Sequence, residues 1–143
     1  MITLRRLTLD DHDAILALWQ RAGLSSRPQG RDRREAFAEQ LAGDMLALGL
    51  EDVEAGKLVA CAVITDDTRK GWINRLAVDP DYRRQGLAAR LIEEAEHVLR
   101  ARGIHAFAAL IHNDNVPSLS LFEREGYKQL DIVYVTKRDH EDA

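Results

Sequence analysis

One cysteine, Cys61, stands in 143 residues. A lone thiol cannot close an internal disulfide, so the chain is no disulfide scaffold and suits a reducing, cytoplasmic compartment. No apolar run approaches the ~20 residues needed to span a bilayer. The opening MITLRRLTLDD has no signal-peptide h-region, so no membrane partner is expected. There is no excess of positive charge: the net charge is −4, which argues against nucleic acid as a partner. Internal repeats, linkers and low-complexity tracts are absent, so a single domain, 1–143, is expected. Neither G-x-x-x-x-G-K-[ST] nor G-x-G-x-x-G occurs, which leaves a nucleotide-hydrolysing P-loop and a dinucleotide fold without their fingerprints. No metal site is expected.

What the chain does have is a soluble, foldable composition, 45% apolar and 31% charged, and one stretch of unusual content. Residues 76 to 103 read LAVDPDYRRQGLAARLIEEAEHVLRARG. A short apolar run ends at Asp79-Pro80, because Pro80 has no N–H for a sheet ladder. Apolar residues then recur at 87, 88, 91, 92, 95, 98 and 99, the spacing of one helix face. Gly103 follows as the stop. Between strand and helix lies Arg83-Arg84-Gln85-Gly86-Leu87-Ala88. A helix N-terminus offers unpaired N–H groups and partial positive charge. Gly86 removes a side chain where an anion would approach, and two guanidinium groups match phosphate oxygens. The combination suits a pyrophosphate. A solvated basic turn with one convenient glycine is the plainer reading of the same residues.

Taken in order, residues 2 to 7 read as a strand. Thr8 or Asp10 caps a first helix with Ile15, Leu18, Trp19 and Ala22 on its apolar stripe and Gly23 at its end. After a loop at 24 to 31, Asp32 with Glu35 opens a second helix. Phe37, Leu41, Met45 and Leu48 line it, and Gly49 stops it. Residues 50 to 65 read as a hairpin turning at Ala55-Gly56-Lys57. The central strand is 71 to 78. Ala106 to Ile111 reads as a strand covered on both faces. A short helix runs from Val116 to Glu125, and 127 to 137 is the last strand. The order is β-α-α-β-β-β-α-β-α-β, an α/β fold with a mixed sheet and helices on both faces.

Arg83-x-x-Gly86-x-Ala88, preceded by Leu76-Ala77-Val78-Asp79-Pro80, resembles the acetyl-CoA motif of the GNAT superfamily of N-acetyltransferases, of the small stand-alone bacterial type. Asn115-Val-Pro-Ser118-Leu-Ser-Leu121-Phe122-Glu-Arg-Glu-Gly126-Tyr127 is similar to the family's later motif. Two motifs in the right order are far more specific than either alone. The resemblance implies a mostly antiparallel sheet whose central strand and its neighbour splay apart. It also implies acetyl-CoA, or coenzyme A, as cofactor, held by Leu76, Ala77, Val78, Arg83, Arg84, Gln85, Gly86, Leu87, Ala88, Asn115, Ser118 and Phe122. The partner it implies is a small-molecule or peptide amine acceptor. A homodimer is left open.

The implied reaction is attack of a neutral amine on a thioester carbonyl. Backbone N–H groups near Leu76 and Val78 would polarise the carbonyl. Many members place a Tyr where this chain has Phe122, so the leaving sulfur lacks its usual acid. Tyr134 on the last strand is one substitute. Tyr127 reads as packing, Asp79 as a turn cap and Cys61 as a core thiol. Alternation places Trp72, Asn74 and Leu76 on one face of the central strand. Asn74 could hold a water near the amine, and His112 has a suitable intrinsic pKa. The candidate catalytic residues are therefore Asn74, Tyr134 and His112. Arg27, Arg31, Arg33 and Arg34 could select an anionic acceptor. The alternative to an N-acetyltransferase is a catalytically weak CoA-binding sensor or regulatory module, which the Phe at 122 keeps open.

Overall fold

The computed structural model describes residues 1–143. The chain opens with strand β1 (Ile2–Arg6). Thr8 then forms a capping box: its hydroxyl accepts the Asp10 N–H, and the Asp11 carboxylate accepts the Thr8 N–H at 2.8 Å. Two orphan donors are thereby satisfied at the entry to α1 (His12–Ala22), which buries Ile15, Leu18 and Trp19. There follow α2 (Arg34–Ala42), β2 (Leu46–Asp52), β3 (Lys57–Asp66), β4 (Gly71–Val78), α3 (Leu87–Ala101), β5 (Phe107–Ala108) and α4 (Val116–Arg124).

The five strands lie in the order β1-β2-β3-β4-β5. Every pairing is antiparallel except β4–β5, which α3 joins as a parallel crossover. Each face of the sheet is covered. On one side Leu91, Ile92, Ala95 and Leu99 of α3, with Phe122 of α4, meet Val59, Ala60, Ala62, Ile64 and Ile73 of the sheet. On the other, Ile15, Leu18 and Trp19 of α1 and Phe37 of α2 meet Ala47, Leu58, Cys61, Val63 and Ala77. Leu91, Ile92 and Leu99 are 0% exposed, and burial of each stabilises the fold by about 1.5–3 kcal/mol. No helix is long and apolar enough to cross a membrane.

Three stretches differ from the sequence expectation. The second helix stops at Gly43 instead of Gly49. Met45 precedes β2, and Leu48 and Gly49 lie within it. Leu41, Met45 and Leu48 satisfy helical spacing, but Leu48 pairs with both Arg6 and Ala62, and tertiary pairing wins. Gly49 serves close approach: a Cβ there would lie 2.6 Å from a Leu7 methyl and 2.8 Å from a Leu58 methyl. The strand expected at 106 to 111 is only Phe107–Ala108, and Leu110 is exposed. The strand expected at 127 to 137 is absent: the segment is irregular, and Leu130, Ile132, Val133, Tyr134 and Val135 are all exposed.

Candidate active site

The centre of β4 carries a β-bulge. Asn74 pairs with Val63 and Ala77 with Cys61, so Arg75 and Leu76 together oppose Ala62. Arg75 takes the strain of the extra residue at φ 54°, in the left-handed region that side chains avoid. The bulge breaks the alternation expected from sequence. Asn74 sits opposite Val63 and Ala77 opposite Cys61, on the α1/α2 face. Leu76 and Val78 pack with Ile73 on the α3 face. Asn74 and Leu76 therefore do not share a face. The Asn74 amide donates to the Thr65 hydroxyl at 3.5 Å.

The bulge also redirects the backbone. Gly71 donates its N–H to Ala106 at 2.8 Å, towards β5, and Asp79 donates to Val59 at 2.8 Å, towards β3. Strand groups alternate sides, so counting back from Asp79 turns the N–H groups of Val78 and Leu76 to the β5 side. There β5 has already diverged, since it pairs only with Gly71 and Trp72. Two aligned donors thus face an opening with no strand opposite them.

The loop after β4 is held from below. Asp79 is buried, its carboxylate accepting from Arg21 Nε and Lys57 Nζ, both at 3.0 Å, and from the Asp81 N–H at 2.9 Å. Burial alone would raise its pKa, but these donors outweigh it and hold the carboxyl below its ordinary value. Asp79 is thus the turn cap read from the sequence. Tyr82 donates to Asp52 at 2.6 Å on the same side. Above this anchor Arg83, Arg84, Gln85 and Gly86 are exposed, and neither Arg83 nor Arg84 is in an ion pair. Arg84 and Gly86 turn the chain through the left-handed region at φ 64° and 73°.

The N-terminus of α3 has no side-chain cap and no acidic residue in its first turn. Thr8 and Asn115 cap other helical segments, the latter with its side-chain oxygen on the Ser118 N–H at 3.3 Å. The uncapped end leaves donors for an external anion. A Cβ on Gly86 would meet no protein atom within 4 Å, so the space above it is open. These features fit a CoA pyrophosphate at residues 83 to 88 and its arm along Leu76 to Val78. The Leu87 side chain is buried in the core, so this residue can offer only its N–H.

The three residues singled out for proton transfer are not gathered together. His112 is exposed in the loop after β5. Tyr134 is 69% exposed and lines a groove of about 810 Å³ outside β5, with Phe122 but without Asn74 or His112. Of the other phenols, Tyr82 is bonded to Asp52, and Tyr127 donates to Glu96 at 2.7 Å. Burial pushes the Tyr127 phenol well above its usual range, and Glu96 adds to it. Phe122 is buried, its ring edge-on to Tyr127 with centroids 5.0 Å apart. Cys61 is an inert core thiol, pushed up to about 12 by burial.

A feature that sequence reasoning missed lies on the α1/α2 face. A cavity of about 70 Å³ is lined by His12, Trp19, Asp32, Gln40 and Arg75 among apolar neighbours. The Arg75 guanidinium stacks on Trp19 at 4.1 Å from the ring centroid and donates to the Ser25 carbonyl. Its Nε is buried and unpartnered. Burial lowers the Arg75 pKa from its ordinary value, yet a guanidinium stays charged in proteins. Nothing in the local sequence marks Arg75, because its placement depends on the bulge. Of the arginines favoured from sequence, Arg33 and Arg34 instead bond the Gly30 and Leu9 carbonyls.

Comparison with known proteins agrees with this geometry. Residues 12–127 match the acetyltransferase (GNAT) family. An acetyltransferase of Pectobacterium atrosepticum is 30% identical over 133 residues, 93% of this chain and 92% of its own length. One of Sodalis glossinidius is 32% identical, covering 87% and 85%. The PaiA N-acetyltransferase of Thermoplasma acidophilum, solved with coenzyme A, superposes with a TM-score of 0.81 at 20% identity, over 93% of each chain. The ribosomal-protein-S18-alanine N-acetyltransferase of Escherichia coli superposes with a TM-score of 0.76 at 27% identity, over 91% of this chain and 79% of its own. The chain belongs to the GNAT acetyltransferase family and is an acyl-CoA-dependent N-acyltransferase, with acetyl-CoA as the family's cofactor.

Proposed function

We propose that this chain is a cytoplasmic enzyme that moves the acetyl group of acetyl-CoA to a primary amine of a small molecule or a protein, and that residues 1–143 are one domain for that task. The observation that carries the reading is the uncapped N-terminus of α3 beside a bulged β4 that parts from β5. Acetyl-CoA, when bound, supplies the activated acyl carbonyl and the sulfur leaving group. Arg83 and Arg84 neutralise the pyrophosphate, while the N–H groups of Gln85 to Ala88 bond its oxygens. The Leu76 and Val78 N–H groups polarise the acyl oxygen at no reorganisation cost, because the sheet fixes them. Ala77 holds that register by pairing with Cys61. Asn115 keeps its amide N–H groups for the CoA arm while its oxygen caps Ser118. Phe122 walls the site without donating a proton.

Proton handling falls to weaker groups. Asn74, His112 and Tyr134 stand apart from one another, so the amine loses its proton to water in the open cleft, and Tyr134, the phenol without a carboxylate partner, is the candidate acid for the leaving sulfur. Much of the rate then comes from positioning, which alone can be large.

The test is a thermal-shift titration with CoA against ATP, followed by thiol release with a panel of small amines and N-terminal peptides. CoA should raise the melting temperature where ATP does not, and at least one amine should release free CoA. Stabilisation by CoA with no turnover on any amine would favour the second reading, a CoA-binding sensor. The absence of an acid at Phe122, with Tyr82 and Tyr127 both tied to carboxylates, is what favours that reading.

A further inference from the structure

We propose that Arg75, with Trp19 and Asp32 around the cavity on the α1/α2 face, selects an acceptor amine that also carries a carboxylate, as a free amino acid does. This rests on the transferase reading above and names its substrate class.

Three observations converge on Arg75. Its position is next to the chemistry: it precedes Leu76, whose N–H is the donor assigned to the acyl carbonyl, and the two Cα atoms are about 3.8 Å apart. Its side chain is pre-set, stacked on Trp19 at 4.1 Å and tied to the Ser25 carbonyl. Its charge has no ion pair: Asp32 across the cavity acts on it only at longer range, and its Nε is buried without a partner. A half-buried guanidinium is ordinarily paired. One engaged nitrogen out of a five-donor fork leaves a face suited to bidentate carboxylate binding.

The cavity answers the other end of such a molecule. About 70 Å³ is room for a small polar group. Asp32 stands on its wall, with one oxygen accepting the Arg27 N–H at 2.7 Å. Its negative charge suits the ammonium of an incoming zwitterion, as Arg75 suits the carboxylate. His12 closes that wall, its Nε2 2.8 Å from the Asp32 carbonyl. Both signs in one small cavity match an amino acid better than a simple amine or an aminosugar.

The experiment compares glycine, β-alanine and γ-aminobutyrate with their carboxamides as acceptors, in wild type, Arg75→Gln and Arg75→Lys. The ratio of ratios cancels the differing basicity of the amines. For the best acid, KM should rise at least about tenfold in Arg75→Gln, with its amide unaffected and Arg75→Lys in between. Retention of the CoA-induced thermal shift certifies that each variant is folded and keeps its donor site. Equal losses for acid and amide, or a wild type that prefers amides, would overturn the anion site while leaving the transferase intact. Should wild type acetylate nothing, thermal shift of the CoA-saturated protein with each acid still decides. Stabilisation by an acid alone, lost in Arg75→Gln, supports the site and favours the CoA-binding sensor, and no discrimination sinks the site.

Discussion

Asp79 is the buried charge on which the loop at 83 to 86 hangs. It is 1% exposed, and its two cationic partners come from α1 and the start of β3. Asp79→Asn keeps the shape and removes the charge. Full loss of a buried partner costs about 3–5 kcal/mol. Arg21 and Lys57 are 37% and 38% exposed, so water recovers part of this, and a loss of about 2 kcal/mol is expected. The pH dependence fixes the sign. Its folded pKa lies below the ordinary 3.8, so the contribution is complete above that value and disappears as pH falls through the folded one. Denaturant melts of wild type and Asp79→Asn should differ at pH 7 and converge towards pH 3. A gap that stays constant over that range would mean the charge is not what stabilises. CoA affinity should fall in the variant as well, because the same carboxylate receives the Asp81 N–H at the base of the loop.

The bounds of β4 and α3 were legible in sequence, because three independent signals agree there: the strand stop at Pro80, the 3.6-residue spacing after Leu87, and the glycine past the end. The second helix was overrun because Leu41, Met45 and Leu48 keep helical spacing, and only the pairing of Leu48 with β1 and β3 decides against it. The bulge at Arg75 was invisible for a different reason. A left-handed residue within a strand is normally announced by glycine, and here the sheet forces an arginine into it. With the bulge unseen, Asn74 was placed on the wrong face relative to Leu76, and the cavity beneath Arg75 went unnoticed. The helix that was read well supplies its own test. At φ 73° Gly86 is replaced only with backbone strain, about 1–2 kcal/mol for Gly86→Ala. The fold should survive, since no protein atom lies within 4 Å of the new Cβ. By calorimetry the Kd for CoA should rise at least tenfold in Gly86→Val, about 1.4 kcal/mol. A folded variant with unchanged Kd would leave the anion cradle without support.

At the scale of the whole molecule, the sheet is well buried at its centre and open at its β5 edge. β3 is flanked by β2 and β4 and buried along most of its length, whereas β5 is two residues long with nothing beyond it. The segment from Lys128 to Lys137 has the β-branched content of a strand, yet its apolar side chains stand in solvent. It borders the groove of about 810 Å³ outside β5. The one backbone hydrogen bond outside regular elements that it makes is Ile132 N–H to Leu130. Sequence pattern and structure therefore part here, and amide hydrogen exchange separates them. Opening free energies are near zero where backbone groups meet water and approach the global value in core strands. Amides of residues 128 to 137 should exchange within the dead time, while Val59 to Ile64 should be among the slowest. Protection of alternate amides in 128 to 137 would instead mean that the segment pairs with the open edge of β5. That result would carry Tyr134 with it, since a phenol on an added strand would be held against the cleft and no longer 69% exposed. The same exchange run with saturating CoA then asks whether ligand binding orders the segment. Protection appearing only with CoA would place Tyr134 in the loaded site, and none in either state would remove it from the acid's role.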